Sequence, residues 1–316
     1  MKIYITGHKS PDLDSIAAAV VYAEFLKESK RYPDAEIIPV AAGEINAETR
    51  MIFEKYGIEK PKVLDEYEVD SEDNFILVDH NEESQRHELV NTDKILEIVD
   101  HHKSNITFTN PVRIDLKPVG STCAIIAEHY EMYKITPSKK IAELMLAAIL
   151  SDTQGLKSST TTGRDSQIAQ NLAKQLKIEV KELTFDIFKA KSDITGLTAE
   201  EIAKKDYKVM ELADKKVFIN QVETVEPNKV LDQKTEMIKE LENIKTELGV
   251  GQAYIIVTDI LNVNSKIIYT NKEEEKILEI AFTAEGKDGI IDIGPKMSRK
   301  KDVVPAIEKV LKSEKF

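Results

Sequence analysis

Short apolar runs of strand length alternate with longer segments of helical period through residues 1–189. Residues 2–6, Glu36 to Val40, 75–79 and 95–100 are mostly apolar and read as buried strands. Between the first two, Ser15 to Glu28 repeats Ile16, Ala17, Val20, Val21 and Phe25 on one helical face. Asn46 to Tyr56 is also helical, and a short acidic helix is expected between the third and fourth strands. Val112-Arg113-Ile114 reads as a short or edge strand. Gly120-Ser121-Thr122 opens a helix to about Tyr133, with Ser121 or Thr122 as its cap. Ser138 to Ser151, Gly163 to Leu176 and Val180 to Phe188 are further helices. Strand alternating with helix predicts an α/β fold, a mainly parallel sheet with helices on both faces.

The pattern changes after a polar stretch, Lys189 to Thr195, which carries the turn signal Ser192-Asp193. Residues 1–189 and 196–316 are therefore expected to form two domains joined by a linker at 190–195. In the second, Tyr207 to Leu212 and Val217 to Val222 read as a hairpin around Ala213 to Lys216. Pro227 to Leu248 reads as one long charged amphipathic helix. Ala253 to Asp259, Lys266 to Tyr269 and Ile290 to Ile293 read as strands. Glu273 to Phe282 and Val304 to Leu311, the latter starting at Pro305, read as helices. This predicts a smaller C-terminal domain of mixed α/β type.

The apolar runs of the first domain share a second property. Ile3-Tyr4-Ile5 leads into Gly7-His8-Lys9-Ser10-Pro11-Asp12-Leu13-Asp14-Ser15, and Phe75 to Val78 into Asp79-His80-Asn81. Ile95 to Val99 leads into Asp100-His101-His102, and the helical run Leu144 to Leu150 into Ser151-Asp152-Thr153. In open α/β sheets, ligands bind beyond the carboxyl ends of the strands. Carboxylate and neutral imidazole together suit hard to borderline divalent metals such as Mn, Co, Zn or Mg. The loop spacing lets His8, Asp12 and Asp14 feed two neighbouring ions. Asp79 is placed to bridge them, with His101 and Asp152 completing the second set. Two such ions can generate a hydroxide nucleophile and clamp attacking and leaving oxygens in line, which is phosphoryl-transfer chemistry. His102 is then available to hydrogen-bond a phosphoryl oxygen or protonate the leaving group. His80 and Asn81 are expected to orient the ligands or the bridging water from behind. His87 and His129 read as ordinary surface or core histidines.

Composition narrows the partners. The chain has 316 residues, 41% of them hydrophobic, and a net charge of −12, which argues against nucleic acid on the main surface. It leaves an anionic substrate open, because bound cations can reverse the local field. Cys123 is the only cysteine, which rules out an intramolecular disulfide and fits a reducing cytoplasm. Its helical surroundings make it a small buried residue. No stretch reaches the length of a membrane span, and Met1 to Ile5 lacks the layout of a signal peptide. A cytoplasmic protein without a membrane partner is expected.

Gly7-His8, Asp12-Leu13-Asp14-Ser15, Asp79-His80-Asn81, Asp100-His101-His102 and Ser151-Asp152, in this order, resemble the DHH phosphoesterase superfamily. Over the whole length, and with Ser298-Arg299-Lys300-Lys301-Asp302-Val303-Val304-Pro305 as a second anchor, the chain resembles the manganese-dependent family II inorganic pyrophosphatases. That resemblance implies one metal on His8, Asp12 and Asp79, and another on Asp14, Asp79, His101 and Asp152. It implies substrate contacts from His102, Lys208, Arg299 and Lys300. It further implies hydrolysis of pyrophosphate in an interdomain cleft, by in-line attack of a metal-bridging hydroxide. The metals would be two Mn2+ or Co2+ per chain, with Mg2+ arriving on the substrate. A homodimer through the N-terminal domain is also implied. Two positions depart from the family pattern: Ser10 stands where Asn is usual, and Asp302 where a neutral residue is usual. No regulatory insertion interrupts the chain after Asp152. The alternative is another DHH phosphoesterase acting on short polyphosphate or oligonucleotides. The oligonucleotide enzymes carry a glycine-rich motif ending in His, where this chain has only Gly249-Val250-Gly251.

Overall fold

The computed structural model describes residues 1–313. The chain divides into two compact units, Met1–Lys191 and Ser192–Phe316.

In the first unit, β1 (Lys2–Thr6), β2 (Glu36–Val40), β3 (Asn74–Val78), β4 (Ile95–Asp100) and β5 (Arg113–Leu116) form one sheet in the order β2-β1-β3-β4-β5. Every neighbouring pair is parallel, and β5 forms an edge. The chain leaves β1 for β2 on one side and returns to β3 on the other. That reversal opens a crevice at the carboxyl ends of β1 and β3.

Six helices accompany the sheet: α1 (Leu13–Ser29), α2 (Ala47–Tyr56), α3 (Thr122–Tyr133), α4 (Lys139–Asp152), α5 (Gly163–Leu176) and α6 (Val180–Lys191). They gather on one face, where Ile5, Ile76 and Val99 pack with Phe25, Ile125 and Leu146. The opposite face, with Tyr4, Phe75, Leu77 and Ile98, is covered by Leu64, Val90 and partly buried Tyr67 and Phe108 from connecting segments. Helices on both faces were expected, and here one cover is irregular. The reason lies in the link from β3 to β4. Between Asp79 and Lys94 its only aliphatic residues are the adjacent Leu89 and Val90, too few for an apolar stripe. It folds as two short 3-10 turns, Glu83–Gln85 and Thr92–Lys94, in place of the acidic helix.

The second unit holds α7 (Ala199–Ala203), β6 (Tyr207–Leu212), β7 (Lys215–Thr224), α8 (Asn228–Leu231), α9 (Lys234–Leu248), β8 (Gln252–Asp259), β9 (Asn264–Ile268), α10 (Lys272–Phe282), β10 (Gly286–Lys287), β11 (Ile290–Gly294) and α11 (Val304–Leu311). Its sheet runs β10-β11-β9-β8-β7-β6. Only β7 and β8 pair in parallel, and the other pairs are antiparallel, so the sheet is mixed as expected. Here helices do cover both faces. Met237, Leu241 and Ile244 of α9 pack on Phe218 and Ile255. Ile277 of α10 and Ile307 of α11 pack on Ile219 and Ile256. The long helix expected from Pro227 is broken into α8 and α9 at Asp232-Gln233. Five polar residues, 232–236, separate Leu231 from Met237, so no apolar side chain anchors the intervening turn. Helix α7 escaped sequence reading although Thr198 and Glu201 form a capping box at its start.

Candidate metal centre and cationic side chains

The loop after β1 is built on a close approach. A Cβ at Gly7 would lie 1.9 Å from Ser15 Oγ, so only glycine fits. Ser15 Oγ accepts the His8 backbone N–H at 3.0 Å. Asp12 caps α1, its Oδ1 accepting the Ser15 N–H at 2.9 Å, which leaves Oδ2 facing His8 Nε2 at 3.7 Å. His8 Nδ1 lies 2.7 Å from the Lys9 carbonyl. A proton there turns Nε2 toward the cluster as the ligand atom. Ser10 adopts φ +53°, a left-handed conformation in which Asn is favoured.

Asp79 occupies the centre. It follows β3 in a left-handed conformation, φ +62°, with its N–H donating to the Val99 carbonyl at 2.9 Å. Its Oδ2 lies 3.5 Å from His8 Nε2 and its Oδ1 3.3 Å from His101 Nε2. Thr122 Oγ1 donates to Oδ1 at 2.9 Å. His101 donates from Nδ1 to the Val119 carbonyl at 3.0 Å, so its Nε2 also points inward, 3.4 Å from Asp152 Oδ2. Asp14 is completely buried against the N-terminus of α3. It accepts from Ser121 Oγ at 2.8 Å, Thr122 N–H at 2.6 Å and Cys123 N–H at 3.1 Å, where the helix dipole favours negative charge. Two donor groups result, His8-Asp12-Asp79 and Asp14-Asp79-His101-Asp152, each with ligand atoms within 4.8 Å of one another. His102 falls in a third grouping with Asp79 and His101.

The electrostatics mark a site made for cations. Burial opposes charge on His8, but the facing carboxylates of Asp12 and Asp79 outweigh it and push its pKa to about 11. Burial likewise works against His101, and Asp79 carries it to about 10. Burial would raise Asp79, but the two imidazoles hold it well below the usual carboxylate range. Asp14, buried beside Asp79, is pushed up to about 7, and Asp152 is raised by burial and by Asp14. With protein groups alone, protons supply the positive charge the carboxylates demand. Among the described residues, Asp79 Oδ2 and His101 Nε2 are buried without a hydrogen-bond partner. Such orphaned lone pairs, in an all-oxygen and imidazole donor set, fit divalent ions of the manganese type.

In the second unit, Lys208 lies on β6 opposite Ile219 of β7. The Ile219 carbonyl accepts from Arg299 Nη1 at 3.3 Å, so Arg299 reaches the strand pair that carries Lys208. Arg299 opens a wide helical turn, Arg299–Val303, that runs into α11. Lys300 beside it is exposed, as is Lys208. Asp302 folds this turn, its Oδ2 accepting the Ser298 N–H at 2.9 Å.

The model of the DHH family, N-terminal domain, matches residues 2–149, and that of the DHHA2 domain matches residues 186–310. A manganese-dependent inorganic pyrophosphatase of Methanocaldococcus jannaschii is 36% identical over 97% of this chain and 98% of its own. One from Methanothrix thermoacetophila is 35% identical over 98% of each. The chain belongs to the manganese-dependent inorganic pyrophosphatase family. The crystal structure of a Methanococcus jannaschii protein assigned to the family II inorganic pyrophosphatases superposes with a TM-score of 0.64, at 35% identity, over 99% of this chain and 100% of that one.

For a member of this pyrophosphatase family, two side chains near the cluster, Asp100 and Glu48, went unassigned in the sequence, while His80 and Asn81 were expected to orient the ligands. Asp100, the last residue of β4, is buried. Its Oδ1 accepts the His102 N–H at 3.1 Å and Nδ1–H at 2.9 Å, leaving His102 Nε2 for another partner. Asn81 Nδ2 donates to Asp100 Oδ2 at 2.5 Å, and Asn81 Oδ1 accepts the Asn105 N–H at 2.8 Å. Asn81 thus acts on Asp100 and the following loop. His80 is buried, donates from Nδ1 to the Val78 carbonyl at 2.9 Å, and is pushed by burial down to about 4. It belongs to none of the donor groups. Glu48 of α2 is fully buried, its carboxyl raised by burial, and accepts from Ser151 Oγ at 3.0 Å, one residue before Asp152. Asp100 was visible as part of a motif, but its bond to His102 depends on the turn after β4. Nothing in the sequence distinguished Glu48 from an ordinary acidic residue in a helix's first turn. His87 and His129 are buried and pair with Asp65 at 3.1 Å and Asp115 at 2.6 Å. Among the described residues no helix is long and apolar enough to cross a membrane.

Proposed function

We propose that this protein is a manganese-dependent inorganic pyrophosphatase that hydrolyses diphosphate to two phosphates. The observation that carries the reading is Asp79, shared by two groups of oxygen and imidazole donors and left with a buried, unpartnered oxygen. His8, Asp12 and Asp79 would hold one ion, and Asp14, Asp79, His101 and Asp152 the other. Bound there, two divalent ions supply Lewis acidity and make a water nucleophilic at neutral pH. Mn2+ or Co2+ fits the donors, and Mg2+ would enter with the substrate. His102 is charged more readily than a free histidine because Asp100 accepts its Nδ1 proton. Its Nε2–H hydrogen-bonds a phosphoryl oxygen or gives its proton to the departing phosphate as the P–O–P bridge breaks. Lys208, Arg299 and Lys300 bind the electrophilic phosphate, Arg by a planar fork and Lys as a compact charge. The protein works in the cytoplasm as a homodimer through its N-terminal domain. Its net charge of −12 speaks against nucleic acid as substrate.

The test is phosphate release from pyrophosphate by the Mn-loaded protein, with a short polyphosphate and a dinucleotide assayed beside it. Turnover confined to pyrophosphate is expected. Preferential cleavage of polyphosphate or dinucleotide would keep the metal centre and overturn the substrate.

A further inference from the structure

Arg299 is gripped along one edge. A guanidinium carries five N–H donors in a plane, arranged as an end edge (Nη1 with Nη2) and a side edge (Nε with Nη2). Nη1 donates to the Asp206 carbonyl at 2.5 Å and the Ile219 carbonyl at 3.3 Å. Nη2 donates to Asp206 Oδ1 at 3.0 Å. Asp206 thus spans Nη1 and Nη2, the two groups of the end edge, and the Ile219 carbonyl takes Nη1 as well. The Arg299 backbone is held as well. Its N–H donates to Gln221 Oε1 at 3.2 Å, while Gln221 Nε2 donates to the Met297 carbonyl at 2.9 Å and to Thr258 Oγ1 at 3.1 Å. Asp206 is itself anchored, its N–H donating to Asn220 Oδ1 at 3.2 Å and its carbonyl accepting the Gln221 N–H at 3.1 Å.

A carboxylate two residues before Lys208 and against Arg299 is costly beside a multiply anionic substrate unless it does something for the arginine. We propose that Asp206 is a positioning residue. It fixes the end edge of the Arg299 guanidinium so that the side edge, Nε–H with the second Nη2–H, is presented for a bidentate grip on a phosphoryl group. This rests on the reading of Arg299 as a phosphate ligand. A fixed guanidinium loses less freedom when the anion arrives than a free one would. Asp206 itself need not touch substrate.

The test compares Asp206→Ala, Asp206→Asn, Arg299→Ala and the Asp206→Ala/Arg299→Ala double variant in the full-length, Mn-loaded protein. Steady-state pyrophosphate hydrolysis and calorimetric binding of imidodiphosphate, a non-hydrolysed analogue, are the readouts. Asp206→Ala should raise KM and weaken analogue binding roughly three- to tenfold, the scale of releasing one ordered long side chain, with kcat and metal content unchanged. Asp206→Asn keeps an oxygen acceptor and should restore most of the loss. In the Arg299→Ala background, Asp206→Ala should add nothing. An unchanged or lowered KM in Asp206→Ala would overturn the proposal, as would an equal rise without Arg299. If Arg299→Ala alone leaves KM unchanged, the phosphate-ligand reading of Arg299 falls and this proposal with it.

Discussion

The two candidate sites, one in each unit, are built on opposite plans. In the first unit, Asp14 and Asp79 are buried and their charges press on one another, with imidazole nitrogens turned inward. In the second, Lys208 and Lys300 stand in water and Arg299 is steadied by carbonyls and one carboxylate. A buried anionic cluster is unstable without a resident cation, because desolvation penalises every unneutralised carboxylate. Exposed cations carry no such penalty and suit a ligand that comes and goes. On the proposed function, the contrast assigns the metals to the resting protein and the phosphate contacts to turnover.

The largest expected effect is at the shared carboxylate. Asp79→Ala should lose both ions, read as metal content by mass spectrometry, and activity by more than ~10³-fold, as for removal of a group that works within a unit. Arg299→Ala should leave metal content intact and raise KM about 10- to 100-fold, the scale of a hydrogen-bonded charge contact. Equal metal loss in both variants would erase the comparison between the units.

Metal itself offers a sharper cut. Ions held only by the folded first unit stabilise it by about 2.7 kcal/mol at a hundredfold excess over Kd. Chelation should therefore lower the thermal transition of Met1–Lys191 and spare that of Ser192–Phe316, as followed by hydrogen exchange during melting. A shift spread over both units would count against the assignment.

The smallest effect is expected at His102. The hydrogen bond to Asp100 raises its pKa, ahead of the opposing burial, so the imidazolium survives to higher pH than a free histidine. Asp100→Asn removes that help and lowers the pKa. The alkaline limb of the kcat profile should then move to lower pH, with metal content unchanged. A profile that does not move would take the proton-donating role away from His102.

What could be read along the chain was whatever depends on near neighbours. The parallel-sheet strands of the first unit followed from apolar runs such as Phe75 to Val78, since a strand covered on both faces needs no alternation. The helices followed from their stripes and caps, and the candidate ligands from Asp and His repeatedly ending apolar elements. Where local signals were weak, tertiary packing decided. The segment from Asp79 to Lys94 became a loop cover for lack of an apolar stripe, and the long charged helix broke where 232–236 offered nothing to bury.

By itself, then, the sequence determined the two α/β units, the motif residues and the kind of chemistry, because periodicity and residue type are local properties. Only the tertiary structure decided which oxygen of Asp79 meets which imidazole, that Asp100 holds His102, that Glu48 lies behind Ser151, and that Asp206 takes one edge of Arg299. Those are contacts between residues up to 103 positions apart, and their angstrom-scale geometry is set by how sheet, helices and turns close on one another.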